Sequence, residues 1–332
     1  MSPRHSEHIV RRTGAMILLI AALAAGCQSG GPRPPAAEQS ALAGRARDLL
    51  LRACESDLDV VRTHAIEAVA RELPDEMAVI RPSLSSASPM VRFAACAALG
   101  ELRDRASAAA FAQLLNDPDP RVRLAAAFGA VRTGDAGRAA LLAEVLGTHP
   151  DENLRCDAAY LIGRLGDARA LKRLRLLARR ERSTRVLMHI YTATATLGDE
   201  SGLDRLMEAV VSSDIVARLI ALQSLAELGA ERSRDALTYR FQQDGDYVQT
   251  RLIAARGLGK LRSSVGYDLA MSSLNHQDAD ANEQMRVRSL AALALGAIGD
   301  VRALPALGAL AEQESDARVQ VAACLAICEI VR

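Results

Sequence analysis

Few residues in this 332-residue chain are spaced for chemistry. Asp278, Asp280 and Asn282 alternate as the opening ligands of a calcium loop do. The sixth position of such a loop needs glycine for its sharp turn and the twelfth a bidentate glutamate, but Glu283 and Ser289 stand there. The segment from His276 to Glu283 therefore reads as a solvated acidic loop. Beyond residue 26 the histidines are His64, His149, His189 and His276, too dispersed to share one metal. Gly257-Leu258-Gly259 lies in a helical pattern rather than after a strand, and no Gly-x-Ser-x-Gly, His-Glu-x-x-His or P-loop occurs. No catalytic, metal-binding or cofactor-binding residue is assigned, and the expectation is a protein that is not an enzyme and carries no cofactor.

What remains is suited to binding. Phe128 and Arg132 are four residues apart, as are Tyr160 and Arg164, so each pair occupies one turn of a helix. Aromatic and arginine side chains dominate interface energies because they bury large areas and still offer donors. These four residues are the expected contact for an unidentified protein partner. Between Arg169 and Arg185 eight cations face Glu181 alone, with Leu171, Leu174 and Leu177 as the buried side. That stretch reads as a solvated helix face paired with nearby acids rather than a membrane contact. A net charge of +1 offers no general attraction to nucleic acid.

The elements that position these residues recur. Taking Arg288 as position zero, equivalents fall at Arg62, Arg92, Arg123, Arg155, Leu187, Arg218, Arg251 and Gln320, at intervals of 30 to 37 residues. Three residues on, the chain has alanine in every unit but one, where Ile190 stands; a small side chain there lets helices approach closely. Seven on, the residues are mostly large and apolar, as at Leu99, Ile162, Leu225 and Leu295. Gly134, Gly166, Gly198, Gly229 and Gly299 follow, where left-handed C-caps would end five of these helices. A period near 32 residues with two helices per unit predicts an all-α α-solenoid of about nine helix pairs, laid out as one elongated array. The positions two, five and nine residues past the arginine lie opposite the core.

The turn and core in Pro118-Asp119-Pro120-Arg121-Val122-Arg123 and Met90-Val91-Arg92 resemble HEAT repeats of the short, phycobilisome-lyase-like kind. The resemblance implies an αα-superhelix over 41–332, with the arginine-bearing helices lining the concave face. It implies little about function, since such repeats serve scaffolds, adaptors and a few enzymes. The His-Glu pairs that hold metal in HEAT-like deoxyhypusine hydroxylases are missing here. Bilin-lyase chemistry needs cytosolic phycobiliproteins, which an exported protein would not meet.

Export is the expectation from the first 26 residues. Arg11 and Arg12 precede the apolar run from Ala15 to Ala25, which is too short to span a bilayer and ends in Leu23-Ala24-Ala25-Gly26-Cys27. Small residues before a cysteine resemble a lipobox, which implies cleavage after residue 26, lipid on Cys27 and a membrane anchor. Gln28 leans toward the outer membrane. Residues 27–40 then read as a flexible Gly/Pro-rich tether, and removal of 1–26 changes the net charge from +1 to −1. Cys54, Cys96, Cys156, Cys324 and Cys328 follow no disulfide pattern and read as core residues. The sequence thus points to an envelope lipoprotein that binds a protein along its concave face. The rivals are a HEAT-like enzyme or cofactor carrier, and a structural spacer. The apolar run from Cys324 to Val331 suits either self-association or an end helix resting on its neighbour.

Overall fold

The computed structural model describes residues 33–332 except 244 and 246, and among these residues there is no strand. The signal segment and Cys27 lie outside the described residues. Nine helical pairs follow one another. The arginine-bearing second helices are α2 (Asp59–Glu72), α3 (Pro89–Glu101), α5 (Pro120–Thr133), α7 (Glu152–Leu165), α9 (Thr184–Thr196), α11 (Ile215–Leu228), α13 (Val248–Lys260), α15 (Ala281–Ile298) and α17 (Ala317–Val331). The first helices are α1 (Ala36–Ala53), α4 (Ala108–Leu114), α6 (Ala139–Thr148), α8 (Leu171–Ala178), α10 (Glu200–Ala209), α12 (Arg234–Phe241), α14 (Tyr267–Ser273) and α16 (Leu304–Gln313). In the second repeat a 3₁₀ run, Pro74–Ser85, takes this place, because Pro74 and Pro82 remove backbone donors.

Two boundaries differ from expectation. Helix α1 begins at Ala36, inside the segment read as tether. Pro34 and Pro35 end the extended stretch, while Ala36, Ala37, Glu38 and Gln39 are good helix formers. Helix α15 begins at Ala281, so part of the longest repeat interval is an extra helical turn rather than loop. Asp280 caps it by accepting from the Asn282 N–H at 2.9 Å.

The repeated positions do what their types require. Ala65, Ala95, Ala126, Ala158, Ala221, Ala254, Ala291 and Ala323 are fully buried. The five capping glycines all have positive φ, from 58° to 128°. Arg103 and Arg262 occupy the same cap position in repeats two and seven, at φ 55° and 60°. A side chain is strained there by about 1 kcal/mol, so the sequence hides two caps of the same shape. The position-zero side chains clamp the turn that precedes their own helix. The Nη1 of Arg92 donates to the Ser86 and Ala87 carbonyls, that of Arg123 to Asp117 and Pro118, that of Arg155 to His149 and Pro150, and that of Arg218 to Ser212. Gln320 makes the same reach to the Glu314 carbonyl. The other edge of the guanidinium grips a carboxylate of the next repeat, Arg92 to Asp117, Arg155 to Glu181 and Arg288 to Glu314. Each such pair ties one turn to the next.

The array is not open. Helix α17 packs against both α1 and α2, and α16 also meets α1. One continuous apolar core runs from Leu42, Ala46 and Leu50 into Val319, Ala323 and Ile327. Polar contacts cross the same seam: Arg45 to Glu312 at 2.8 Å, Arg332 to Glu72 at 3.4 Å and Arg71 to Glu329 at 3.8 Å. The apolar last helix is thus covered by the first pair of its own chain, not by a second molecule. The solenoid closes into a ring.

Closure requires strong curvature, and small residues on the inner helices supply it. A Cβ on Gly259 would lie 2.7 Å from the Ala297 carbonyl carbon and the Ile298 nitrogen; one on Gly163 would lie 3.0 Å from the Ala193 Cα. Adjacent inner helices touch backbone to backbone there, while the outer helices carry leucines between them. Gly259→Ala should therefore force α13 from α15, and Ala254→Leu should overpack the core; each is expected to cost about 1–3 kcal/mol. Exposed Arg179→Leu should change little. Thermal melts in which all three match the wild type would refute this register.

Candidate functional site

The concave face has become a lumen. The nine inner helices surround a common interior because the two ends of the array meet, so the open groove expected for a protein partner is not present.

The four residues expected to form one patch are separated by the structure. Phe128 is completely buried. Its ring lies where a Cβ on Gly100 would be, 2.8 Å from Cδ1 and Cε1, so the glycine of the preceding repeat draws the aromatic down between the helices. Arg132 follows it, and donates from Nε and Nη2 to the Gly100 and Glu101 carbonyls at 3.3 and 3.1 Å, capping the end of α3. Both serve structure. Tyr160 does face the lumen, 44% exposed. Arg164 also points inward, but it pairs through Nε and Nη2 with Glu101 of repeat two, reaching past the whole of repeat three.

That ion pair belongs to a larger set of polar side chains on the inner helices. At the same level Glu227 accepts from Lys260 at 2.9 Å and pairs with Arg256 at 2.7 Å. Glu227 also feels Arg71 from across the ring. The C-terminal ends of the inner helices are thus closed by mixed charges from six repeats. One turn deeper lie Glu67, Tyr160 and Gln223. Nothing among the described residues donates a hydrogen bond to the Glu67 carboxylate. Desolvation within the ring pushes its pKa up, Arg71 offsets part of this, and Glu101 and Glu227 add to the rise. Desolvation, with Glu72 beside it, likewise raises Glu329, whose Oε2 is buried without a hydrogen-bond partner. Desolvation would also raise Glu227, but Arg256 and Lys260 outweigh it and its pKa falls. Burial takes the Tyr160 phenol up to about 12. The signal that could have located this set is the register itself, since Glu67, Tyr160, Gln223 and Arg256 all stand five residues past position zero.

The other sequence features are structural. In the acidic loop, Asp278 and Asp280 accept from backbone N–H groups two residues on, each at 2.9 Å, and among the described residues no group of acids, histidines or cysteines is arranged to hold a metal. In the basic stretch Arg169 pairs with Asp167 and Arg175 with Asp199, Arg173 donates to the Ala143 carbonyl, and the one acid, Glu181, pairs with Arg155 of the preceding helix. Cys54, Cys96, Cys156 and Cys324 are buried free thiols, and burial raises all their pKa values, so they are poor nucleophiles.

Glu67 gives a pH signature of known sign. A carboxyl whose folded pKa is raised destabilises the fold when ionised, and the penalty disappears as pH falls through that pKa toward the ordinary 4.5. Glu67→Gln should raise the melting temperature at pH 7, and the gain should shrink to nothing on acidification. A gain that does not change between neutral and acid pH would contradict the desolvated placement.

Comparison with known proteins fits this architecture. The chain matches the family described as HEAT repeats over residues 77–148, 139–226 and 248–328. No curated protein matches it. Among solved structures it is similar to the complex of CpcE and CpcF of phycocyanin lyase from Nostoc sp. PCC7120, with 17% identity, a TM-score of 0.43, and coverage of 79% of this chain and 96% of that one. It is also similar to human deoxyhypusine hydroxylase in complex with glycerol, with 22% identity, a TM-score of 0.37, and coverage of 77% and 96%. With family matches over well more than half its length, the chain belongs to the HEAT-repeat proteins.

Proposed function

We propose that the protein is a binding scaffold of the bacterial cell envelope, held at the membrane by lipid on Cys27, that carries a partner protein on one rim of its ring. The anchor is supported by the charged and apolar leader ending at Cys27, and Gln28 supports the outer membrane. No described helix is long and apolar enough to cross a bilayer.

The observation that carries the rim reading is an apolar crescent. Val211, Ile215, Val216, Leu219 and Tyr247 lie at the start of α11 and α13 and the end of α10, with Ile215 60% and Tyr247 81% exposed. Isolated exposed apolar residues are ordinary, whereas several on neighbouring elements of one rim suit an interaction surface. Because each pair is antiparallel, all inner helices begin on one rim, and α1 begins on the opposite rim. The nine residues from Cys27 to Ala36 reach at most about 32 Å. A second reading, as a ligand carrier or enzyme, is favoured by the polar set converging in the lumen. No observation favours an inert spacer.

A photo-crosslinking residue at position 247 should give a discrete protein adduct in intact cells, and one at exposed position 179 should not. Ile215→Asp should abolish the adduct; identical labelling from both positions would rule the crescent out. Cys27→Ala should release the protein from the membrane fraction or leave its leader uncleaved, and unaltered retention and processing would rule out the anchor.

A further inference from the structure

The rim that carries the apolar crescent also carries unpaired cations, and the two meet. The turns leading into α9 and α11, 179–183 and 210–214, are equal in length, and each ends in a side chain that caps the next helix, Ser183 and Asp214. Helices α9 and α11 pack on each other, with the Thr192 and Ser224 hydroxyls 2.7 Å apart. A residue of the first turn therefore stands beside its equivalent in the second, one helix spacing of about 10 Å away. By this register Arg180 lies beside Val211, Arg182 beside Ser213 and Arg185 beside Val216. All three arginines are exposed. Arg180 and Arg182 have no side-chain partner among the described residues, and Arg185 donates only to the neutral Asn153 amide oxygen, at 2.8 Å. Glu181, between them in the chain, is committed to Arg155. Arg179, by contrast, continues the outer face of α8 with Lys172 and Leu176. The acids of this rim lie to either side. Asp151 and Glu152 of repeat four are exposed, and Asp151 accepts from the Asn153 N–H at 2.8 Å. Asp214 is exposed next to Ile215, and Asp244 and Asp246 precede Tyr247 in the sequence. An anionic lipid surface would meet those acids together with the apolar residues, so the charge pattern suits a discrete segment better than a bilayer.

We infer that the crescent takes an amphipathic acidic segment of its partner protein, with apolar side chains over Val211, Ile215 and Val216 and carboxylates over Arg180, Arg182 and Arg185. This rests on the rim reading and adds the chemistry and the direction of what binds there. The apolar residues supply area, while the arginines offer paired donors to carboxylates, speed the encounter and fix which way the segment lies. No ion pair within the ring has to break for them to do so.

Photo-crosslinking from position 247 in intact cells tests it, repeated in a chain carrying Arg180→Glu, Arg182→Glu and Arg185→Glu together. The adduct yield should fall about tenfold or more, and only about threefold when the same three become Gln, because reversed charge repels the acids as well as releasing them. Mass spectrometry of the partner peptides joined at positions 182 and 247 should place both in one segment, with Asp or Glu at the end nearer 182. An undiminished adduct in the Glu variant, or a joined segment without acids, overturns the inference and leaves the rim reading standing. No adduct from position 247 with the arginines intact removes both. An adduct of the chain with itself assigns a second copy and overturns the acidic partner. The purified Cys27→Ala chain is also spun with vesicles of phosphatidylcholine, alone or equimolar with phosphatidylglycerol. Sedimentation with the anionic vesicles that is lost in the Glu variant would assign lipid and likewise overturn it. Melting temperatures of both triple variants should match the wild type, which keeps loss of binding distinct from loss of fold.

Discussion

The contact on which the rest depends is the seam, where α17 lies on α1 and α2. An open solenoid has two ends, and each must be made polar because it has no neighbour. Here the two ends cover each other, so Leu42, Leu50 and Ile327 are as buried as residues in the middle of the array. Closure also sets a geometric condition. The rotations of nine repeats must sum to a full turn, so a change of spacing at one inner contact is felt at the seam. The backbone contacts at Gly163 and Gly259 are therefore constraints on the whole ring and not merely on their own repeats. At the seam Glu72 is enclosed between Arg71 at 3.6 Å and Arg332 at 3.4 Å. A buried carboxylate left without those partners would cost several kcal/mol, so the pair specifies the seam as much as it stabilises it.

A second condition is that every turn between outer and inner helix hold its shape, since an error there would alter the pitch. The position-zero arginine meets it with two edges, one on the carbonyls of its own turn and one on the acid of the next. Arg92 makes four such bonds. The paired carboxylates carry the cost of burial and recover it: desolvation alone would raise Asp117, but hydrogen bonds from Arg92 and the Asp119 N–H bring its pKa below the ordinary value. The stabilisation from Asp117 is accordingly present at neutral pH and is lost as pH falls through that lowered pKa.

Much of this was legible in the residues and some of it was not, for reasons that can be stated. Repeat length, helix type and caps are local properties, so Ala254, Gly229 and Gly299 announce them directly. Closure is global, the sum of small rotations that no single residue encodes; its one local sign was the apolar run from Cys324 to Val331, equally suited to self-association. The lumen-facing register was legible as well, and it placed Tyr160 and Arg164 on the inner surface. It failed at Phe128 because register gives the side of the helix and not the depth. Gly100, in the neighbouring repeat, opens a space that the ring fills, and a packed aromatic gains more from burial than from solvent. Arg103 and Arg262 show the opposite limit, positions where a residue unsuited to a left-handed cap adopts it because seven repeats share the shape.

Closure finally divides the surface by the size of what can reach it. In an open solenoid the concave face is an extended surface on which a folded partner can lie. In a ring that face is withdrawn, and folded partners are left with rims and outer wall, where the crescent of repeats six and seven lies. The withdrawn face gains a different property. Charges there are desolvated by helices on every side although water still touches them, which is why Glu67 and Tyr160 are exposed and yet shifted in pKa. Such an interior disfavours an unpaired charge and strengthens each pairing within it, since interactions there are screened less than on an outer surface. A site on a rim and one on the inner helices would therefore differ in the size of what can reach them.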